Sequence, residues 1–278
     1  MGQEGTSRMQ RIANIAKNLA LTLIPDGALF YLKAARYIYH VDRFSELEEP
    51  ELNVVKHLVQ PRHTAVDVGA NVGWYTNYLS NLVGKNGKVI ALEPIPETFA
   101  LLSICAKALH LTNVELFNVG ASEVDGSAVM EIPEYASGGA NYYMSHIVDC
   151  DQQSGSSLQR EVRLRSLDSL LRDKAYHVDF IKCDVEGHEL QLIKGAQATM
   201  KAGKAAWLIE VSRSSDPDLD GSNSWQLFTL LEAHGYSAWW FDRDVLRKRK
   251  QGDKALNYFF LKSQHILALE RYPLKISA

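Results

Sequence analysis

The sequence predicts an α/β protein with a mostly parallel sheet, and two observations favour this class. Short β-prone segments alternate with segments whose apolar residues recur at helical spacing through most of the chain. The first β-prone segment, 64–66, runs into a glycine-containing turn, and apolar residues then recur on one helix face at Tyr75, Leu79 and Leu82. Strand, glycine turn and helix in this order open a nucleotide-binding type of α/β domain.

Length and composition describe an ordinary globular chain and exclude several classes of function. At 278 residues, 46% of them hydrophobic, the chain suffices for one large α/β domain or two small ones. A net charge of -3 argues against bulk nucleic-acid binding. Three cysteines without paired spacing predict a reducing compartment and no zinc site. No apolar run reaches transmembrane length and the first residues do not resemble a secretory signal, so we expect a cytoplasmic protein.

The N-terminal part of the chain predicts a helical extension, residues 1–50, in front of a main domain at residues 51–278. Apolar residues recur at helical spacing in 9–23 and again in 30–41. We favour a helical cap that packs over the α/β core. The alternative is contact with a membrane surface, which the basic and aromatic residues of these segments would also suit.

The turn at 67–73 carries the first candidate ligand site. Gly69 can adopt a positive φ, and Gly73 has no Cβ to keep a ligand or the first helical turn at a distance. The dinucleotide fingerprint G-x-G-x-x-G is absent, and a carboxylate at Asp67 would repel a pyrophosphate. Asp67 is better suited to a cationic group, such as the α-amino group of S-adenosylmethionine (SAM). The alternative is that the glycines only pack the helix on the strand.

The second predicted strand, 88–92, ends in Glu93. Folds of this type accept the hydroxyls of a ribose at that position, and an acid there disfavours NADP. Glu93 could instead be a solvated residue at a strand end, but its occurrence together with Asp67 favours a binding role. After the third strand, the small residues at 120–122 would let an adenine approach the backbone.

The middle of the chain departs from simple alternation. A helix at 98–110 and a strand at 114–119 are followed by two further strands, at 128–132 and 161–165. The span 133–160 is too long for an ordinary connection. We interpret it as a substrate loop or lid, with a plain surface insertion as the equal alternative.

A second cluster of polar residues follows the strand predicted at 178–183. Asp184, Glu186 and His188 are expected at its carboxyl end, the edge at which open α/β sheets bind ligands. Titratable groups this close together shift each other's pKa and suit general-base work on a substrate hydroxyl. The alternative is that Glu186 only faces the positive end of the next helix dipole, and that His188 and Glu189 are merely exposed, which we favour for Glu189.

The last part of the chain predicts a helix over 190–200, a strand over 205–211 and a helix over 225–234. Two final strands, 236–241 and 256–261, are joined by a basic segment, 243–254, and we expect them to form an antiparallel closing hairpin. No metal site is predicted, although Asp184 and Glu210 would suit Mg²⁺, and this need is left open.

Two separated motifs carry a resemblance to a known family. The stretches D-V-G-A-N-V-G at 67–73 and F-I-K-C-D-V-E-G-H-E-L at 180–190, with L-I-K-G-A at 192–196, resemble the FkbM-type family of SAM-dependent methyltransferases. The stretch L-D-S-L-L at 167–171 is similar to that family too. The resemblance covers about half of the chain, from 65 to 211. It implies a Rossmann-like class I methyltransferase fold with a seven-stranded sheet, an antiparallel closing strand and helices on both faces.

The resemblance also implies SAM as cofactor and transfer of a methyl group to a hydroxyl of a sugar, a glycan or a secondary metabolite. It places the methionine end of SAM on the glycine turn, the ribose on Glu93 and the adenine near Ala121. His188 departs from the family pattern, which more often has a small residue there. The cofactor-binding residues so predicted are Asp67, Gly69, Ala70, Asn71, Gly73, Glu93, Ala121 and Asp184, and the catalytic residues are Asp184, Glu186 and His188.

Two other functions remain as alternatives. A non-catalytic SAM-binding scaffold would use the N-terminal helices and the basic run at 247–250 to dock a partner or a membrane. A nicotinamide-dependent oxidoreductase is disfavoured, because the chain lacks G-x-G-x-x-G and a well-placed Tyr-x-x-x-Lys pair. The expected partner is a small-molecule or glycan acceptor, with nucleic acid excluded and homo-oligomer formation left open.

Overall fold

The structure is a computed structural model that describes residues 26–133, 145–148, 158–174, 177–212 and 215–277. The described helices, in chain order, are α1 (Asp26–Arg43), α2 (Leu52–Leu58), α3 (Trp74–Val83), α4 (Pro96–Ala108), α5 (Leu167–Lys174), α6 (Glu189–Lys194), α7 (Gln197–Ala202), α8 (Asn223–Ala233) and α9 (Ser263–Leu269). The described strands are β1 (Thr64–Val68), β2 (Lys88–Leu92), β3 (Val114–Phe117), β4 (Gly120–Ser122), β5 (Gly126–Ile132), β6 (His146–Val148), β7 (Leu158–Ser166), β8 (Phe180–Cys183), β9 (Ala206–Glu210), β10 (Ser237–Asp242), β11 (Val245–Lys248), β12 (Asn257–Leu261) and β13 (Lys275–Ser277).

The main sheet has nine described strands in the order β13-β11-β10-β12-β9-β8-β1-β2-β3. Its five strands from β9 to β3 are parallel, and β12 then pairs antiparallel with both β9 and β10. The α/β class and the antiparallel closing pair are therefore confirmed. The predicted count of seven strands is wrong, because the sheet has two further strands. The basic segment 243–254 contains β11, which pairs with β10, and β13 pairs with the other edge of β11.

A second sheet, in the order β4-β7-β5-β6, stands beside the main one. The two strands predicted at 128–132 and 161–165 pair antiparallel in it, as β5 and β7. The small residues at 120–122 form β4, parallel to β7. One strand, β6, lies inside the span 133–160, which the sequence had indicated as a loop. The end of that span, 158–160, begins β7, and 134–144 and 149–157 lie outside the described residues.

Helices cover both faces of the main sheet, as predicted. Alternate residues of its strands enter two separate apolar clusters because successive side chains of a strand point to opposite faces. Val66 and Ile90 pack on one face with the helices α5 to α8. Ala65 and Val89 pack on the other face with α2, α3 and α9.

The single helix predicted over 190–200 is divided into α6 and α7. The break falls at Gly195, where a Cβ would lie 2.0 Å from the Ser122 carbonyl oxygen. Gly195 therefore lies directly against the backbone of β4, with no room for a side chain. Asp168 of α5 then accepts hydrogen bonds from the Ala198 and Thr199 amides in the first turn of α7, at 2.6 and 3.0 Å. These bonds satisfy donors that a helix start leaves free.

At its N-terminal end, the described chain packs on α3 and α4 through α1. The Asn77 Nδ2 of α3 donates a hydrogen bond to the Val41 carbonyl at 3.0 Å, and the Phe44 ring lies against the rings of Trp74 and Tyr75. The helix predicted over 9–23 lies outside the described residues. No helix of the described residues has the length and apolar character needed to cross a membrane.

The parallel pairing brings three strand ends together. Val68 of β1 is in register with Leu92 of β2 and with Cys183 of β8. The residues that follow these strand ends, including Glu93 and Asp184, therefore meet at one edge of the sheet.

Candidate active site

Asp67 lies inside β1, one residue before the strand end, and is fully buried. Its Oδ2 accepts a hydrogen bond from the Thr76 hydroxyl at 2.6 Å, whereas its Oδ1 has no hydrogen-bond partner among the described residues. Burial raises the pKa of Asp67, against the opposing effects of the Lys182 charge and the Thr76 hydrogen bond. A buried carboxylate oxygen without a partner is costly, and it indicates where a bound ligand would place a donor.

The glycine turn after β1 is shaped by backbone packing. Gly69 has a φ of +75°, and a Cβ there would lie 1.7 Å from the Asp184 carbonyl oxygen. The turn therefore lies directly against the start of the loop that follows β8. Gly73 has a φ of +104°, and a Cβ there would meet the Leu102 side chain at 3.0 Å. Close packing thus explains both glycines: Gly69 lies against the loop after β8, at the candidate site, and Gly73 lies against α4.

Glu93 is buried and holds the two loops around it. Its Oε2 accepts a hydrogen bond from the Asn71 amide and its Oε1 accepts one from the Ile95 amide, both at 3.0 Å. Burial, with a smaller effect of the Asp67 charge, raises the pKa of Glu93 to about 7. The alternative that Glu93 is a solvated residue at a strand end is therefore wrong.

Two cavities open at this edge of the sheet. The first has mainly apolar walls, to which the second sheet contributes Met130, Ile147 and Leu164, and its polar groups include Glu93 and His188. Ala121 lies in the wall of this cavity. Ile147 belongs to the span 133–160, so a described part of that insertion contributes to the site.

The second cavity is acidic and aromatic. Its walls include the side chains of Asp67, Lys182, Glu210 and Tyr75. Gly69, Asn71 and Asp184 line both cavities, so the two meet at the turn after β1 and the loop after β8. The predicted cofactor residues divide as follows: Asp67 and Ala70 line the second cavity, Glu93 and Ala121 the first, Gly69, Asn71 and Asp184 both, and Gly73 neither.

Lys182 is a central residue that the sequence reasoning missed. Its Nζ lies 3.1 Å from the Asp184 Oδ2 and 5.0 Å from the centre of the Tyr75 ring. Burial lowers the pKa of Lys182, but the charges of Asp184 and Asp67 outweigh this effect and hold the pKa above its usual value. The available signal was a lysine in the apolar strand β8, two residues before Asp184. A charge in a buried strand needs partners close by.

The three predicted catalytic residues are not equally placed. Asp184 lies at the junction of the cavities, whereas Glu186 and His188 line only the first. Glu186 has a φ of 50°, and burial, followed by the Asp184 and Glu210 charges, raises its pKa to about 7. The His188 Nε2 lies 2.9 Å from the Ser122 hydroxyl, and burial lowers the pKa of the imidazole.

Glu189 is buried, so the expectation that it is exposed is wrong. Its Oε1 accepts a hydrogen bond from the Gly187 amide at 2.8 Å, and burial raises its pKa. Through this hydrogen bond to Gly187, Glu189 stabilises the turn that follows β8.

The segment between α1 and α2 supplies further residues that sequence reasoning missed. Glu49 lines the second cavity, and its Oε1 accepts hydrogen bonds from the Tyr75 hydroxyl at 3.1 Å and from the Asn257 Nδ2 at 3.3 Å. Burial, together with the neighbouring Glu51 charge, raises the pKa of Glu49 to about 7. Phe44 lies in the same cavity wall. No motif marks these residues, because their partners are distant in sequence.

Asp184 and Glu210, which would suit Mg²⁺, do line the same cavity. However, the part of the chain that the structure describes contains no group of three or more His, Cys, Asp or Glu side chains placed to hold a metal ion.

Comparisons with known proteins identify one family. A model of the methyltransferase FkbM domain matches residues 67–238, which is more than half of the chain. No curated protein sequence gives a significant match.

The solved structures that the chain matches include two methyltransferases of low sequence identity. One is a methyltransferase FkbM from Methylobacillus flagellatus KT, with 18% identity and a TM-score of 0.46 over 83% of this chain and 57% of that one. Another is a SAM-dependent methyltransferase from Aquifex aeolicus, with 18% identity and a TM-score of 0.39 over 80% of this chain and 96% of that one. The chain thus spans little more than half the length of the Methylobacillus protein.

Proposed function

The chain belongs to the FkbM methyltransferase family, and on this premise we propose that it is a SAM-dependent O-methyltransferase. The proposed acceptor is a hydroxyl of a sugar, a glycan or a secondary metabolite. One observation carries the proposal: an apolar cavity and an acidic cavity meet where β1 and β8 end, at Gly69, Asn71 and Asp184. The two cavities match the two ends of a molecule that joins an adenosine to a cationic amino acid.

The residues present fit SAM at each end. The first cavity offers Ala121 and apolar walls to an adenine, and the Glu93 carboxylate to the ribose hydroxyls. The partnerless Oδ1 of Asp67 in the second cavity suits the α-ammonium group. SAM would supply an electrophilic methyl group on its sulfonium, at the junction between the two cavities.

In the proposed mechanism, Asp184 orients the acceptor hydroxyl or takes its proton. Methyl transfer is an in-line displacement, so alignment of the acceptor provides much of the rate. The Lys182 Nζ lies 3.1 Å from one oxygen of Asp184 and so fixes the orientation of that carboxyl group. Glu186, with a pKa of about 7, is a second candidate for the base. His188 has a more indirect position, because its Nε2 already contacts Ser122.

Thermal unfolding with SAM, S-adenosylhomocysteine, NAD and NADP in turn tests the cofactor. A ligand at about a hundred times its Kd stabilises the folded chain by about 2.7 kcal/mol, which raises the Tm measurably. We expect a shift with the two adenosyl ligands only, and a smaller one for Asp67→Asn. A shift with NAD or NADP would favour an oxidoreductase, and no shift at all would overturn the proposal.

Methyl transfer itself is tested by mass spectrometry of sugar and metabolite hydroxyl acceptors incubated with the enzyme and SAM. Asp184→Asn should reduce turnover while SAM still binds. If Asp184→Asn and Glu186→Gln both keep full turnover, the assigned roles are wrong. SAM binding without any methylated product across a broad screen would instead favour a non-catalytic scaffold.

A further inference from the structure

Helix α1 has an apolar outer side as well as an apolar inner side. Its inner side packs on α3 and α4 and buries Ala34 and Val41. On its outer side, Tyr31, Leu32 and Tyr39 are 69%, 57% and 55% exposed. The described residues contain seven exposed large apolar side chains, and three of them lie on this one helix. Single exposed apolar side chains are normal, but a cluster of them marks an interaction surface.

Basic side chains accompany the apolar ones on the outer side of α1. A helix turns by about 100° per residue, so Leu32 and Tyr39 lie almost in line, and Arg36 and Arg43 lie directly beside them. Both arginines are exposed, and the Arg43 guanidinium lies 3.9 Å from the centre of the Tyr39 ring. Arginine side chains that lie along apolar surface keep their charge in the water at its border.

We propose that this outer side of α1, formed by Tyr31, Leu32, Arg36, Tyr39 and Arg43, binds the surface of an anionic lipid bilayer. The helix lies in the plane of the membrane surface, with its apolar side chains among the lipid headgroups and its guanidinium groups on the phosphates. The inference is independent of the proposed methyl transfer.

The distribution of charge along the chain favours an anionic partner on this side. Residues 1–43 contain six Lys and Arg against three Asp and Glu, whereas the rest of the chain contains 24 against 30. An anionic membrane therefore attracts the part of the chain that contains α1 and repels the remainder. This difference orients the chain with α1 towards the bilayer.

Acidic side chains close to α1 reduce this attraction only in part. Asp42 and Glu48 are exposed. Glu46 and Glu49 are turned towards the protein, where they accept hydrogen bonds from tyrosine hydroxyls of α3 at 2.9 and 3.1 Å. The six basic residues of 1–43 outnumber the two exposed acids, so the net attraction remains.

Sedimentation of the full chain with sucrose-loaded vesicles tests the proposal. Vesicles of phosphatidylcholine with added phosphatidylglycerol are compared with vesicles of phosphatidylcholine alone. We expect at least about tenfold tighter binding to the anionic vesicles, and weaker binding in high salt, because ions screen the attraction of basic side chains to lipid phosphates. No binding, or equal binding to both kinds of vesicle, would overturn the proposal.

Two variants of exposed side chains assign the contact to α1. Arg36→Gln/Arg43→Gln removes two positive charges and should weaken binding to the anionic vesicles at least about tenfold. Leu32→Ser removes apolar contact and should weaken it at least about fivefold. Unchanged binding in both variants would overturn the proposal.

Matched controls change exposed residues outside α1. Arg163→Gln/Arg243→Gln alters the net charge by the same amount, on β7 and in the turn after β10, and Leu267→Ser alters an exposed leucine on α9. We expect all of them to bind as the wild type does. Controls that weaken binding as much as the α1 variants would show that the vesicles respond only to net charge or general apolarity, which would overturn the proposal.

A second copy of this chain is the other occupant that the apolar side chains would suit. Light scattering of the wild type and of Leu32→Ser in buffer without vesicles distinguishes the two. We expect the same molar mass for both. A dimer that Leu32→Ser dissociates, in a chain that does not bind vesicles, would assign the surface to self-association and overturn the proposal.

Discussion

At the scale of single residues, Glu93 links the site to the pH dependence of stability. Its pKa of about 7 in the folded chain lies above the ordinary value of about 4.3 expected after unfolding. The folded chain therefore holds this proton to higher pH than the unfolded chain does. The stabilisation is complete below about pH 4 and is lost as the pH rises through about 7.

We expect the wild type to lose stability relative to Glu93→Gln between about pH 4 and about pH 7, by at most about 4 kcal/mol. The glutamine cannot titrate, so the difference between the two proteins isolates this one group. Urea unfolding across the pH range measures it. Glu123→Gln, at an exposed turn position, is the control. A difference between wild type and Glu93→Gln that stays constant with pH would contradict the assignment.

Lys182 makes the second prediction at this scale. Lys182→Met removes the partner of Asp184 and leaves a carboxylate uncompensated in the interior, so the free energy of unfolding should fall by about 3–5 kcal/mol. The double variant Lys182→Met/Asp184→Asn should recover part of this loss, because the unpaired charge is then gone.

A surface pair provides the comparison for Lys182. Lys88 contacts Glu115 on neighbouring strands, where both side chains are about a third exposed, and Lys88→Met should cost less than about 1 kcal/mol. Equal losses for the two lysine variants in urea unfolding would show that Lys182 is not the buried counter-charge described here.

At the scale of elements, the turn between β1 and α3 makes a sharp prediction. Gly69→Ala introduces a Cβ that would lie 1.7 Å from the Asp184 carbonyl oxygen, at a positive φ. Backbone must move to relieve that overlap, so we expect a loss of more than about 3 kcal/mol. Gly235→Ala has a similar φ, +81°, with nothing within 4 Å of the new Cβ, and should cost only about 1 kcal/mol. Urea unfolding curves measure the loss of stability in each variant. Similar losses in Gly69→Ala and Gly235→Ala would mean that the turn does not pack against the Asp184 backbone.

Sequence periodicity predicted the elements whose burial is regular. The strands β1, β2, β8 and β9 are apolar runs between helices, and each was expected close to where it lies. The strands β6, β11 and β13 were missed for a physical reason. They have three or four residues each and lie at or near sheet edges, so partly exposed residues leave no continuous apolar signal.

At the scale of the whole molecule, the two cavities differ in how far the sequence could predict them. Glu93 and Ala121, which line the first, come after predicted strands in the motif-bearing half of the chain, so both could be named in advance. The second cavity joins residues from both ends of the chain. Glu49 and Asn257 share a hydrogen bond across 208 positions, and no local pattern records such a pairing.

The environment of Lys182 also depends on the whole molecule. The Lys182 side chain acquires its charged partners only when β8 pairs with β1 and β9. Asp67 and Asp184 then come together from the ends of neighbouring parallel strands. A sequence reader sees a lysine that interrupts an apolar strand. In the folded chain, that lysine is the buried positive charge in the wall of the second cavity.

The docking of α1 connects the N-terminal part of the described chain to the site, and it yields the last prediction. Among described residues, one buried side-chain hydrogen bond, from the Asn77 Nδ2 to the Val41 carbonyl, fixes the end of α1 just before Phe44. Asn77→Ala should cost about 1 kcal/mol and increase hydrogen exchange in α1, while the amides of β1 and β8 keep their protection, because local opening needs less energy than global unfolding.

Asn53→Ala is the matched control, since the Asn53 Nδ2 donates to the Pro50 carbonyl in an exposed local turn and does not reach α1. Hydrogen exchange followed by mass spectrometry distinguishes the two variants. Faster exchange spread evenly over α1, β1 and β8 would mean that α1 opens only when the whole domain unfolds. Faster exchange confined to α1 and the residues up to Phe44 would mean that this wall of the second cavity opens independently of the sheet.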